Sequence, residues 1–120
     1  MHILLVDDER ALRKMASRML QRLGATSEDI DDGKDCEKLL RSRGHIPGVP
    51  STSGKGHRFD AILLDIVMVH SRGTDVCKHL LELGCRVPIL AATANHDPWN
   101  MASYREVGFY GILPKPYSQK

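Results

Sequence analysis

The chain reads as one α/β domain built on a doubly wound, five-stranded parallel sheet, and three observations carry that expectation. Short apolar runs recur, among them Ile3-Leu4-Leu5-Val6, Ile62-Leu63-Leu64 and Ile112-Leu113. Each gives way to polar residues, as a buried strand of a parallel sheet does where its C-terminal end reaches the surface. Between the runs, apolar residues recur at three- and four-residue spacing, the mark of amphipathic helices. The resulting alternation βαβαβαβαβ calls for parallel strands with helices on both faces.

The elements follow in order. Residues 2 to 6 form the first strand, and a helix from about Glu9 carries Leu12, Met15, Ala16, Met19, Leu20 and Leu23 on one face until Gly24 caps it. Ala25 to Ile30 is a poor strand by composition, which suits a half-exposed edge. Residues 34 to 41, with Cys36, Leu39 and Leu40, read as a short second helix. Phe59 to Leu64 is the third strand, and Val76, Cys77, Leu80 and Leu81 mark the third helix. Val87 to Ala92 is the fourth strand, entered through Pro88. Asp97-Pro98 then starts a fourth helix, with Asp as N-cap and Pro in the first turn, and Phe109 to Leu113 is the fifth strand.

Composition narrows the class. One hundred and twenty residues at 42% hydrophobic content suffice for one domain with one core. A formal charge of +2 gives no case for nucleic acid. Cys36, Cys77 and Cys85 are odd in number and lack CxxC spacing, which argues against a disulfide framework or a zinc site and for small core residues. The six histidines show no metal-ligand spacing. No apolar run has the length of a membrane span and no signal peptide precedes the first strand, so the expectation is a soluble cytoplasmic protein. Ser42 to Arg58 breaks the rhythm with four Gly, two Pro, three Ser and one Thr, and reads as a flexible insertion at about 42–58 in a single domain, 1–120. Its Arg43, Lys55 and Arg58 also suit a docking surface for an acidic partner.

Three pieces of the chain carry chemistry. Asp7-Asp8, Asp65 and Lys115-Pro116 each follow an apolar run, so the fold brings them to the C-terminal edge of the sheet, where open α/β sheets bind ligands. Three carboxylates and an ammonium there suit a divalent cation and a phosphoryl group. Taken singly, Asp7 and Asp8 also fit as caps of the following helix, Asp65 as a turn residue and Lys115 as a surface lysine.

Leu5-Val6-Asp7-Asp8-Glu9, Leu64-Asp65-Ile66-Val67-Met68 with Gly73, Ala92-Thr93-Ala94 and Lys115-Pro116 together resemble the receiver domain of two-component response regulators. The likeness runs from Met1 to about Tyr117, in order, apart from the insertion. The stretch Pro88 to Asn95 and Gly108 are most similar to receivers of hybrid histidine kinases. The resemblance implies a flavodoxin-like sheet of order 2-1-3-4-5. It implies that Asp65 takes a phosphoryl group from a histidine, on a histidine kinase or a histidine phosphotransfer protein, in a Mg²⁺-dependent phosphorelay. Asp7, Asp8, Asp65 and the Val67 backbone carbonyl would hold the Mg²⁺, with Asp7 acting through water. Lys115 would supply a fixed positive charge and Thr93 a hydroxyl hydrogen bond. The Lys115–Pro116 peptide would be cis. Such a domain is not a turnover enzyme but a switch that assists its own phosphorylation and dephosphorylation.

Departures from the family pattern are visible. Val69 replaces the usual Pro, Arg72 stands where Asp is common, and Ile112 occupies a position usually held by Tyr or Phe. These substitutions admit a pseudo-receiver that works by contact alone. A phosphohydrolase reading lacks its second Asp, because Val67 sits there. Trp99 and Tyr104 on the fourth helix suit either partner contact or packing. Only Tyr117 to Lys120 follow Pro116, too few for the fifth helix of a receiver. The expected consequence is an uncovered apolar face beside Met15, Met19 and Leu23, a fragment of a longer protein, and self-association as a homodimer.

Overall fold

The computed structural model describes residues 1–47, 58–69, 71–94 and 97–115. Five strands alternate with four helices among them: β1 (His2–Val6), α1 (Arg10–Arg22), β2 (Thr26–Ile30), α2 (Lys34–Ser42), β3 (Ala61–Asp65), α3 (Gly73–Glu82), β4 (Ile89–Thr93), α4 (Pro98–Val107) and β5 (Gly111–Pro114). All pair in parallel, in the order β2-β1-β3-β4-β5. The register sets Val6 beside Leu64 and Asp65 beside Ala92, so the C-terminal ends of β1, β3 and β4 finish level.

Burial explains which runs became strands. Leu4, Leu5, Val6, Ile62 and Leu64 are almost fully inaccessible, as continuous apolar strands covered on both faces should be. β2, whose sequence is Thr-Ser-Glu-Asp-Ile, pairs only with β1 and is half exposed, the edge position its composition predicts. The larger core joins Val6, Cys36, Leu40, Ile62, Leu64, Cys77, Leu80 and Tyr104 on the α2–α3–α4 side. The smaller one, Ile3, Leu5, Ala16, Leu63 and Ala92, lies under α1. Next to it an apolar groove of about 430 Å³ runs past Met19, Leu63, Leu90 and Leu113, with Met15 and Leu23 exposed on the α1 flank.

Three strands, β3, β4 and β5, start two residues later than expected, and two of these shifts have local reasons. Pro88 precedes β4 rather than joining it: its carbonyl accepts Ile62 N–H, but proline has no N–H to return. Phe109 N–H is used by the Tyr104 carbonyl in the last turn of α4, so β5 begins at Gly111. β3 likewise starts two residues after Phe59. Asp97 caps α4 through Oδ1, accepting Asn100 N–H at 3.0 Å, with Pro98 in the first turn.

The flanks of the insertion are structured. Ser42 ends α2, while His45 and Ile46 are buried. His45 Nε2 accepts the Phe59 amide at 2.9 Å, His2 stacks on Phe59 at 5.3 Å between centroids, and the Arg43 guanidinium lies over the same ring. The neck of the segment is therefore a packed polar–aromatic cluster. Its body, residues 48–57 with Lys55 and His57, lies outside the described residues, as do His70, Asn95, His96, Pro116 with the peptide preceding it, and residues 117–120.

The three cysteines are free and buried; burial pushes the Cys36 thiol up to about 12 and Cys77 to about 11, so both stay protonated. No helix among the described residues is long and apolar enough to cross a membrane. Tyr104 packs edge-on against Phe109, whereas Trp99 is 83% exposed, so the two aromatics of α4 divide between packing and surface.

Candidate functional site

The level ends of β1 and β3 bring the acidic residues together. One carboxylate oxygen from each of Asp7, Asp8 and Asp65 lies within 4.8 Å of the others. Asp7 and Asp65 are buried and Asp8 is half-buried. Lys115, one residue beyond β5, reaches across the sheet edge. Its Nζ donates to Asp65 Oδ1 at 2.8 Å and to Asp7 Oδ2 at 3.2 Å. The backbone places it there: Lys115 N–H donates to the carbonyl of Thr93, the buried last residue of β4.

Electrostatics follow from burial and crowding. Burial pushes the Asp65 carboxyl above its ordinary value; the Lys115 hydrogen bond pulls it back, the Asp7 charge pushes it up again, and the Val67 amide draws it down. Burial by itself would lower Lys115, but the Asp65 and Asp7 carboxylates outweigh it and hold the ammonium above its ordinary value. A carboxylate cluster with one cation keeps an excess of negative charge. All the donors are oxygen, so the set fits a hard divalent cation such as Mg²⁺.

Several further contacts support the pocket, and of these only the role of Asp7 at the helix start was open to sequence reading. Arg13 Nη1 donates to the Asp7 carbonyl at 2.7 Å while its Nε bonds Asp29 Oδ2 at 2.8 Å, bracing the turn from β1 to α1 against β2. Asp7 Oδ1 accepts Glu9 N–H at 2.9 Å, so Asp7 serves the helix start as well as the pocket. Asp8 Oδ2 accepts Val69 N–H at 2.7 Å, tying the loop after β3 to the pocket. That loop is closed by the Val67–Arg72 bridge. Finally, Gly73 packs so tightly that an added Cβ would lie 2.2 Å from the Asp65 carbonyl oxygen. The arginine carried a faint signal, a cation five residues past an acidic pair; the Val69 and Gly73 contacts carried none.

The sequence profile of the response regulator receiver domain matches residues 3–120. The chain belongs to that family. It is 32% identical to the response regulator MprA of Mycolicibacterium vanbaalenii over 116 residues, which are 97% of this chain and 44% of that protein. The MprA of Mycobacterium leprae is 32% identical over 118 residues, 98% of this chain and 46% of the relative. The chain thus spans under half the length of these curated relatives. Among solved structures, the chemotaxis protein CheY4 of Vibrio cholerae superposes with a TM-score of 0.77 at 27% identity, covering 98% of this chain and 88% of that one. A Francisella response regulator receiver domain superposes at 0.79 with 20% identity over 98% and 85% of the two chains, a likeness of fold.

Within this receiver the variable positions have definite surroundings. Val67 and Val69 are exposed at 71% and 79%, beside the pocket mouth. Ile112 is partly buried against the larger core, where its branched side chain fills space and offers no polar tip.

Proposed function

We propose that this receiver domain takes a phosphoryl group from a phosphohistidine onto Asp65 and acts as a phosphorelay switch. The reading is carried by one observation, the Lys115 ammonium held between Asp65 and Asp7 in a pocket of three carboxylates. In the proposed step an Asp65 carboxylate oxygen attacks phosphorus. The P–O bond forms as the P–N bond to the donor imidazole breaks, and the leaving nitrogen keeps the electron pair and is then protonated. Lys115 neutralises charge building on the phosphoryl oxygens, and the Thr93 hydroxyl donates a hydrogen bond to one of them. Asp7, Asp8, Asp65 and the Val67 carbonyl would hold Mg²⁺. When bound, the ion offsets repulsion between the carboxylates and the incoming phosphoryl group.

The donor in this reading is a histidine kinase or a histidine phosphotransfer protein. The Pro88 to Asn95 stretch supports a receiver of the hybrid-kinase type, and the MprA relatives a free response regulator. We treat residues 1–120 as one receiver domain with an insertion at about 42–58.

Incubation with acetyl phosphate and Mg²⁺, followed by intact-mass measurement, tests this function. One added phosphoryl group is expected. No addition would indicate a module working by contact alone, and consumption of acetyl phosphate without retained phosphate would indicate a hydrolase.

A further inference from the structure

The loop between β3 and α3 is clamped at its base. Gly73 N–H donates to the Ile66 carbonyl at 2.8 Å, and Val67 pairs with Arg72 in an antiparallel bridge. Gly73 also lies against the Asp65 backbone too closely for a side chain to fit between them. From this mount two backbone amides reach two carboxylates. The Val67 amide bonds Asp65, and the Val69 amide donates to Asp8 Oδ2 at 2.7 Å, a short, charge-assisted contact.

The three carboxylates of the pocket are not held equally. Asp7 is buried with both oxygens engaged, Oδ1 by Glu9 N–H and Oδ2 by Lys115. Asp65 is buried and bonded by Lys115. Asp8 is half-buried, and among the described residues only the Val69 amide donates to it. A side chain so placed has several staggered rotamers open to it, and fixing one costs entropy. A fixed amide removes that freedom before any ion arrives. A carboxylate has about four acceptor positions, so one amide leaves room for a cation on the same group. The Val69 side chain is 79% exposed, and the residue serves the pocket through its backbone. Proline, the usual residue of receivers at this position, has no N–H to give.

We propose that the Val69 backbone amide is a positioning group for divalent-cation binding: it fixes the Asp8 carboxylate against Asp7 and Asp65 and so raises the affinity of the pocket for Mg²⁺. The proposal rests on the reading of those carboxylates as the Mg²⁺ site. Hydrogen bonds that orient a ligating group from behind change metal affinity by about tenfold or more. The coupling is reciprocal, so Mg²⁺ in turn holds the loop in place.

The test titrates the full chain, its Val69→Pro variant and its Val69→Ala variant with Mg²⁺, following the amide resonances of the turn from β1 to α1. Val69→Pro removes the N–H, whereas Val69→Ala keeps it and trims only the side chain. The expected result is that Val69→Pro binds Mg²⁺ about tenfold more weakly than the parent and Val69→Ala within about twofold of it. The dissociation constant belongs to the folded domain, so a purely structural loss appears in the urea midpoint without Mg²⁺ and leaves the constant unmoved. Hydrogen exchange on the unaltered chain needs no variant: the Val69 amide should exchange more slowly than an unprotected amide, and more slowly again with Mg²⁺. Equal or tighter Mg²⁺ binding by Val69→Pro, equal weakening by Val69→Ala, or unprotected exchange at Val69 would overturn the proposal and leave the metal site standing. Absence of Mg²⁺ binding to the unaltered chain would refute the metal site itself, and the proposal with it.

Discussion

Lys115→Ala should cost the domain roughly 3–5 kcal/mol in the absence of divalent cations, in line with breaking a buried ion pair by removing one partner. The ammonium makes charged hydrogen bonds at 2.8 and 3.2 Å to carboxylates whose side chains are only 6% and 7% exposed. Without it, the Asp7 and Asp65 charges share, beside Asp8, a pocket whose carboxylate oxygens lie within 4.8 Å of one another. At an effective dielectric of about 20 their repulsion alone is on the order of 3 kcal/mol. Protonation of Asp65 is the relief available, because burial already pushes that carboxyl up. The deficit of the variant should therefore shrink as pH falls. A divalent cation bound only by the folded state should also recover part of the loss. Urea denaturation in chelator and in excess Mg²⁺, across pH, measures all three effects. A variant as stable as the parent in chelator, or one that gains less from Mg²⁺ than the parent does, would refute the reasoning.

Other predictions follow from single contacts. Gly73→Ala places a methyl group 2.2 Å from the Asp65 carbonyl oxygen, so α3 must move outward by about 1 Å; an expected loss of roughly 1–3 kcal/mol is read from melting curves, and an unchanged midpoint would contradict the packing. Val67→Asn should speed loss of the phosphoryl group, since valine cannot orient a hydrolytic water and asparagine can; decay of added mass after removal of acetyl phosphate checks this, with equal rates as the contrary result. Burial, with Arg58 and Arg43 nearby, lowers His45, so the folded state favours neutral imidazole and the unfolded chain binds the extra proton. Stability should then be full above about pH 6.5 and decline below it, with His45→Gln flattening that decline in a melting-temperature profile. Glu28, hydrogen-bonded to Arg43 and held down to about 2, adds a second decline as pH falls from the ordinary glutamate range towards that value.

Much of this molecule was legible in its residues because the relevant forces are local or strongly patterned. Ile3 to Val6 and Ile62 to Leu64 are too continuously apolar for any position but the middle of a parallel sheet, and Thr26 to Ile30 too polar for any but its edge. Strand order then made Asp7, Asp8, Asp65 and Lys115 neighbours. What stayed hidden depends on contacts between distant segments. Composition gave no hint that His45 is buried, because its partner is the Phe59 amide across the insertion. Trp99 and Tyr104 look alike in sequence and differ in exposure because Tyr104 faces Phe109. The backbone donation from Val69 to Asp8 follows from the path of a loop, which residue identity does not encode.

The central claim is that Asp65 is the phosphoacceptor. Peptide mass spectrometry of the protein treated with acetyl phosphate and Mg²⁺, beside the Asp65→Asn variant, tests it most directly. The account predicts one phosphoryl group, on the peptide containing Asp65, and none on the variant. Uptake by Asp65→Asn at the parent rate, or a phosphoryl group located elsewhere in the chain, would contradict it.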